Sequence, residues 1–516
     1  MKAVNILILY LIIFSYDKCA TNSYDYSSYS AVSKNTNLSG ETLTSTTADQ
    51  SVVYVTNSGI TISSSTLQKT SGDSSNVENS EFYGINAAVL VQGGGVTITD
   101  GEITTAAKGA NAVCATNNGV VTITGTKITS TSSGSGRGLH STYGGSITAS
   151  GVTISSTGGS CATLATDRGE GTVTCTDCTL STGGAGSPLI YSTGTITVSS
   201  TTGTASGAQM VVVEGKNTAT VQENSSLKCT GVGNRNNVDD CGIFLYQSMS
   251  GDAETGTSTF NCKSSSLEIL SSSSVYSSAP MFFITNTDSV INLEDCTLTY
   301  GSGIFLKAAE TSEWGTSGSN GGDVTLTLTN QEVEGDFVVD SGSSLIINMV
   351  NSSIKGKINN AKSSATISVT LDAASKITLT GNSYISSLTN SDTTGSNIIK
   401  GSYSFADYNG NEYTGNTSTE DTSASTTSTT ATTSTISTTS TTSTTSTTST
   451  TSTTSTTSTT STSATTATTS SNSNNSTEST ESTDSTDDDD TDVPTRIRLN
   501  GEYLSNYLLF ILVLLF

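Results

Sequence analysis

Charge is what this chain has least of. Only 12% of its 516 residues are Asp, Glu, Lys or Arg, about half the share of an ordinary globular protein. Surface helices laced with Lys and Glu, the usual scaffold of a helical enzyme, are therefore excluded. Proline (3), histidine (1) and tryptophan (1) are scarce, and aromatic residues make up 6%. The single histidine, His140, leaves no histidine-rich set for a metal, and neither a metal site nor a cofactor is expected. Lys and Arg number 20 against 44 Asp and Glu, for a net charge of -24, with no basic run, so nucleic acid is excluded as a partner. No apolar run approaches the roughly 20 residues of a membrane-spanning helix.

The two ends carry short apolar segments instead. Met1-Lys2 and the run from Val4 to Phe14 have the charged-then-apolar order of a secretory signal. This predicts a signal peptide at 1–20, cut near Ala20. The last ten residues, from Tyr507 to Phe516, are apolar and follow a polar stretch. They resemble the removable signal for a GPI-type lipid anchor, placed at 493–516 with Asn500 as the candidate attachment residue. Between 422 and 470 every residue is Ser or Thr except Ala424, Ala431, Ile436, Ala464 and Ala467. Hydroxyl side chains bury too little apolar area to offset the entropy of ordering, so 416–492 reads as a glycosylated stalk with an acidic end.

The middle of the chain repeats. Ile98, Ile123, Ile147, Val173, Ile196 and Ala219 follow at intervals of 25, 24, 26, 23 and 23 residues, each flanked by Ser or Thr. Another short apolar strand precedes each centre, among them Val89-Leu90-Val91, Val113-Cys114-Ala115 and Val211-Val212-Val213. Alternation of apolar and hydroxyl residues is the period of a half-buried strand, and Gly, Asn and Ser fill the turns. A unit of three short strands buries its apolar edge only by stacking on its neighbours, which predicts an all-β solenoid. The chain resembles the right-handed, single-stranded parallel β-helix proteins of the pectin-lyase-like superfamily, in particular their adhesin-like members with Gly-x-(Val/Ile)-Thr-(Ile/Val)-(Thr/Ser) coils. About 13 coils are expected over 51–415, after an N-terminal segment or cap at 21–50. The excursions at 234–240 and 310–323 read as loops leaving the coils.

Apart from Cys19 at the signal boundary, eight cysteines remain, an even number that suits disulfides in a secreted chain. Cys229 and Cys241 bracket a polar stretch and form the expected bridge; Cys175-Thr176-Asp177-Cys178 has a metal-like spacing without a second pair. Asn37, Asn224, Asn351, Asn416, Asn474 and Asn475 open candidate N-glycosylation sequons.

Two arrangements carry possible chemistry. Asn237-Val238-Asp239-Asp240-Cys241 is similar to the paired-aspartate segment of polygalacturonases, which makes Asp239 and Asp240 the candidate acid and base of an enzyme. The remaining segments of that family's site are missing: Asn286-Thr287-Asp288 follows the pair instead of preceding it, and Arg137, Arg168 and Arg235 are scattered with no carboxylate cluster on neighbouring coils. The second arrangement is a column of outward hydroxyls: Thr97 and Thr99, Thr122 and Thr124, Ser146 and Thr148, Thr172 and Thr174, Thr195 and Thr197, Thr218 and Thr220. Two parallel ladders at about 4.8 Å spacing would result, a face similar to that of β-helical ice-binding proteins.

These features point to a secreted cell-surface or cell-wall glycoprotein, membrane-attached through its lipid anchor, with a non-catalytic role in adhesion or surface architecture. Its expected partner is a surface glycan or a host or neighbouring-cell protein. A polysaccharide-active enzyme and an ice-binding protein are the alternatives. The enzyme requires carboxylates converging with Arg or Lys in one groove; ice binding requires one flat, uncharged Thr face.

Overall fold

Alternating Val or Ile with Thr gives each strand one apolar edge, and the chain must turn sharply at the strand's end to bring the next edge inward. The computed structural model describes residues 22–417 except 236, all within one compact unit. It winds these residues into a parallel β-helix. The expected signal peptide, nearly all of the expected stalk, the expected anchor signal, Asn474, Asn475 and Asn500 lie outside the described residues. One wall is a 12-stranded sheet, the second a 14-stranded sheet, and the third is divided into a 10-stranded and a 4-stranded sheet. Strands pair in parallel with the corresponding strand one coil away, as Val120–Thr124 does with Gly95–Thr99 before it and Ser146–Ser150 after it.

Thirteen of the fourteen strands of the longest sheet lie within 51–415. The other, Leu38–Ser39, joins Ala31–Lys34 and Thr42–Ser45 in a complete coil inside 21–50. The solenoid thus starts earlier than expected, because Leu38 and Leu43 already supply apolar positions in register with Ile62 and Leu67.

A left-handed residue marks the corner between the second and third walls in twelve coils, joined in one of them by a second, Glu223 beside Asn224. The column runs Gly40, Ser64, Asp100, Gly125, Gly151, Asp177, Ser200, Asn224, Ser264, Asp295, Asn330 and Asn351, all with φ between 46° and 70°. Gly, Asn and Asp accept this region at least cost, which explains their recurrence at the ends of Thr-rich strands.

Inside, Val96, Val121, Ile147, Val173, Ile196 and Ala219 form one stacked column, and Ile98, Ile123, Ala149, Cys175, Val198 and Val221 form its neighbour. The sequence repeat aligned Ile147 with Ile123; the backbone pairs it with Val121, a shift of two residues. Further along, Phe260, Phe282, Phe305 and Phe337 continue the core as a staircase of rings with centroids 5.7, 5.3 and 5.1 Å apart.

The disulfides differ from expectation. Cys175 bonds to Cys178 across a left-handed corner, and Cys262 bonds to Cys296 one coil further on. Cys229 and Cys241 are both unbridged and buried. They occupy opposite sides of the coil wall: Cys229 packs in the central core, whereas Cys241 belongs to an outer cluster with Val212, Phe244, Phe283 and Trp314. The metal-like Cys175 spacing is thus a bridge, not a metal site.

Gly151 tests the corner without side-chain interference, since a Cβ there meets nothing within 4 Å. Gly151→Ala should cost about 1 kcal/mol in urea denaturation and Gly151→Val about 2, with Gly151→Asn close to neutral. Peptide mapping without reduction should recover the 175–178 and 262–296 pairs, and thiol alkylation after unfolding should label Cys229 and Cys241.

Candidate functional site

The strands of the 12-stranded sheet are apolar on both faces, so the outer face also needs cover. Its outward column runs in register through Tyr54, Leu90, Cys114, His140, Ala165, Tyr191, Val212, Phe244 and Phe283. At one end the short helix Val77–Tyr83 and the tyrosines of the N-terminal segment lie on it: Tyr24, Tyr26, Tyr29 and Tyr83 pack with Tyr54, Leu90 and Cys114. At the other end Trp314, from the loop at 310–321, and Cys241 cover Phe244 and Phe283. A cleft of about 330 Å³ opens between the two covers over Tyr191 and Val212.

Glu81 and Arg137 border the cleft on the helix side, with Phe244, Tyr246 and Trp314 opposite. Arg137 is buried, with one guanidinium nitrogen 3.0 Å from Asp167 and the other 3.4 Å from Glu81. Next to it, Arg168 pairs with Asp252 at 2.6 Å and lies 3.8 Å above the Phe82 ring. Burial pushes the Asp167 carboxyl up to about 7, against the opposing pull of Arg137 and of the Arg168 backbone N–H.

Glu214 is the most enclosed carboxylate of the cleft, 1% exposed. Its Oε2 accepts from the hydroxyls of Tyr191 at 2.6 Å and Tyr246 at 2.8 Å. Burial, and then the Glu214 charge, hold both phenols well above their ordinary range, so both remain donors. The second oxygen, Oε1, is buried with no hydrogen-bond partner. Groups of this kind are rare in folded proteins and mark places where a ligand or solvent completes the bonding.

The candidate catalytic pair acts as a loop brace. Asp239 accepts backbone N–H bonds from Asn234 and Arg235, while Asp240 accepts one from Gly233 at 2.7 Å. Asp239 does reach the cleft wall, but its carboxylate is engaged by its own loop. The reading of Arg137, Arg168 and Arg235 as scattered is overturned. Arg137 and Arg235 line one cleft together with Glu81, Asp167, Glu214, Asp239 and Asp252, and Arg168 stands at its border through Asp252. His140 lies beneath the helix, its Nε2 2.6 Å from the Glu81 carbonyl, and burial keeps it well below the usual imidazole range.

The threonine ladder is real in substance and shifted in register. Thr61, Thr97, Thr122, Thr148, Thr174, Thr197 and Thr220 form seven consecutive rungs of one outward column, continued by Asn261 and Asn292. Thr99 and Thr124 belong to a second column with Ser150, Thr176 and Ser199, while Thr172, Thr195 and Thr218 belong to a third with Ser146 and Val120. Three columns replace the two expected. The face is not free of charge along its length, since Lys263 and Glu294 pair on it at 2.9 Å. Of the glycosylation candidates, Asn37, Asn224, Asn351 and Asn416 are exposed. Among the described residues, no group of His, Cys, Asp and Glu is placed to hold a metal, and no helix is long and apolar enough to cross a membrane.

Asp167, Glu214, Tyr191, Tyr246 and Trp314 were not anticipated. One signal was present in the sequence. Asp167 and Glu214 stand at the ends of the short strands Leu164–Thr166 and Val211–Glu214, in a chain where charge is rare. Comparison with models of known protein families, with curated proteins and with solved structures finds no match.

The raised Asp167 pKa has a signed consequence. An unfolded Asp titrates near 4, so between about pH 4 and 7 the folded chain holds a proton that the unfolded chain releases. The contribution to stability is complete below pH 4 and is lost as pH rises through 7. The stability difference between wild type and Asp167→Asn, followed by urea denaturation, should fall across that window; a difference independent of pH would place the Asp167 carboxyl in its ordinary range.

Proposed function

We propose that this chain is a surface-displayed saccharide-binding protein, with the cleft over Tyr191 and Val212 as its binding site. The observation that carries the reading is the unpartnered, buried Oε1 of Glu214 in a cleft walled by Phe244, Tyr246 and Trp314. Saccharides offer the matching chemistry, with hydroxyl donors around the ring edge and C–H faces that pack on aromatic rings. A carboxylate oxygen that lacks a donor gains one when a sugar hydroxyl arrives, which favours the complex over the free site. The lining counts five carboxylates against two guanidinium groups, which disfavours polyuronates by charge repulsion and supports a neutral or cationic sugar. Display follows from the sequence: the secretory signal, the Ser/Thr stalk and the anchor signal suit a protein held away from a membrane or wall.

A second reading, hydrolysis of a glycosidic bond, is favoured by one observation. Asp167, with its pKa near 7, suits a proton donor to a leaving oxygen, and Glu214 would act as the base that activates water. The two acids stand two coils apart, roughly 9 to 10 Å between backbones at the usual strand spacing.

One experiment addresses both. The purified full chain is titrated against an array of plant, fungal and animal glycans, and released reducing ends are assayed in the same wells. Binding is expected, weakened about tenfold or more by Trp314→Ala and unchanged by Thr148→Val on the 14-stranded wall. Product that disappears in Asp167→Asn would establish hydrolysis, and a silent array would end both readings.

A further inference from the structure

The carboxylates around the cleft are not equivalent. Glu81 and Asp167 share Arg137, Asp252 has Arg168, and Asp239 is engaged by the backbone N–H groups of its loop. Glu214, the most buried of them, forms no ion pair with Lys or Arg among the described residues; its only side-chain partners are the two phenols on Oε2. A carboxylate taken out of water is costly unless a cation or several donors replace its hydration. Two donors on one oxygen are part of that replacement and leave Oε1 open. The rings of Tyr191, Phe244, Tyr246 and Trp314 line the same space, and aromatic faces attract cations in desolvated sites. Arg235, the other guanidinium of the lining, is exposed.

We propose that the ligand presents a protonated primary amine to Glu214 Oε1, which makes an amino sugar with an unsubstituted amine the saccharide class of the cleft. The inference rests on the saccharide reading above and adds the charge. An ammonium group donates up to three hydrogen bonds and cancels the buried negative charge, whereas a neutral hydroxyl supplies one bond and no charge. N-acetylation removes the cation and adds bulk at the same atom.

The test uses the full chain and calorimetric titration at a pH where the amine is protonated. The probes are a β-1,4-linked glucosamine tetramer, its fully N-acetylated form, a glucose tetramer of the same linkage, and spermidine. The glucosamine tetramer is expected to bind about tenfold or more tighter than the acetylated and neutral tetramers. Glu214→Gln, nearly isosteric and still able to accept from both phenols, should abolish that preference while keeping residual binding of the neutral tetramer. Tyr246→Phe retains the carboxylate and should retain the preference, which covers the case in which Glu214→Gln fails to fold. Equal binding of all three tetramers, or a preference that survives Glu214→Gln, overturns the amine and leaves the saccharide reading standing. Binding of spermidine without any tetramer supports the amine and overturns the saccharide; no binding of any probe overturns both.

Discussion

Everything in this fold depends on hydrogen bonding between one coil and the next. No coil carries enough apolar residues to form a core alone, and each strand of Val, Ile and Thr has its backbone partners one turn away in the chain. That constraint explains the composition. Charged side chains repeated at one register position would stack with like signs about 4.8 Å apart, so outward positions favour Thr, Ser and Asn. It also explains the left-handed corner column, because so short a turn between two walls keeps successive strands in register only if it recurs in coil after coil.

The same stacking makes the 12-stranded wall apolar on its outer side, and that side has to be covered. Two covers do so, one built from the N-terminal segment and the short helix, the other from loops leaving the later coils. The cleft is the interval they leave open. Its charged groups follow from this position: Arg137, Asp167 and Glu214 sit beside strands of three nearby coils, where partial cover removes water without removing access. Burial then sets their behaviour, raising Asp167 and leaving one oxygen of Glu214 without a donor.

The fold was legible because alternation and coil length are local properties of the sequence. The exact register was not. A shift of two residues preserves which side chains face inward, so the pattern alone could not separate the pairing of Ile147 with Ile123 from its pairing with Val121. The partners that mark the true register, Ala149 and Cys175, are small and look like turn or wall residues in the sequence. The cysteine expectation failed for a related reason. Proximity in sequence brought Cys229 and Cys241 together on paper, while the wall places their side chains on opposite sides. The cleft was illegible because its members come from segments up to about 230 residues apart, from Glu81 to Trp314. Only the coil-to-coil pairing brings them together.

The division of the cover into two parts separates mechanical and chemical roles along the chain. Coils that precede the helix Val77–Tyr83 or follow the loop at 310–321 contribute no residue to the cleft, and Arg137, Asp167, Tyr191, Glu214 and Tyr246 all lie between those limits. Coils gained or lost in those outer regions change the reach of the solenoid and leave the spacing of these five residues intact. A coil gained between Asp167 and Glu214 would widen their separation by one strand spacing. Length can therefore vary freely at the ends of this protein, while the number of coils at its centre is bound to whatever molecule the cleft receives.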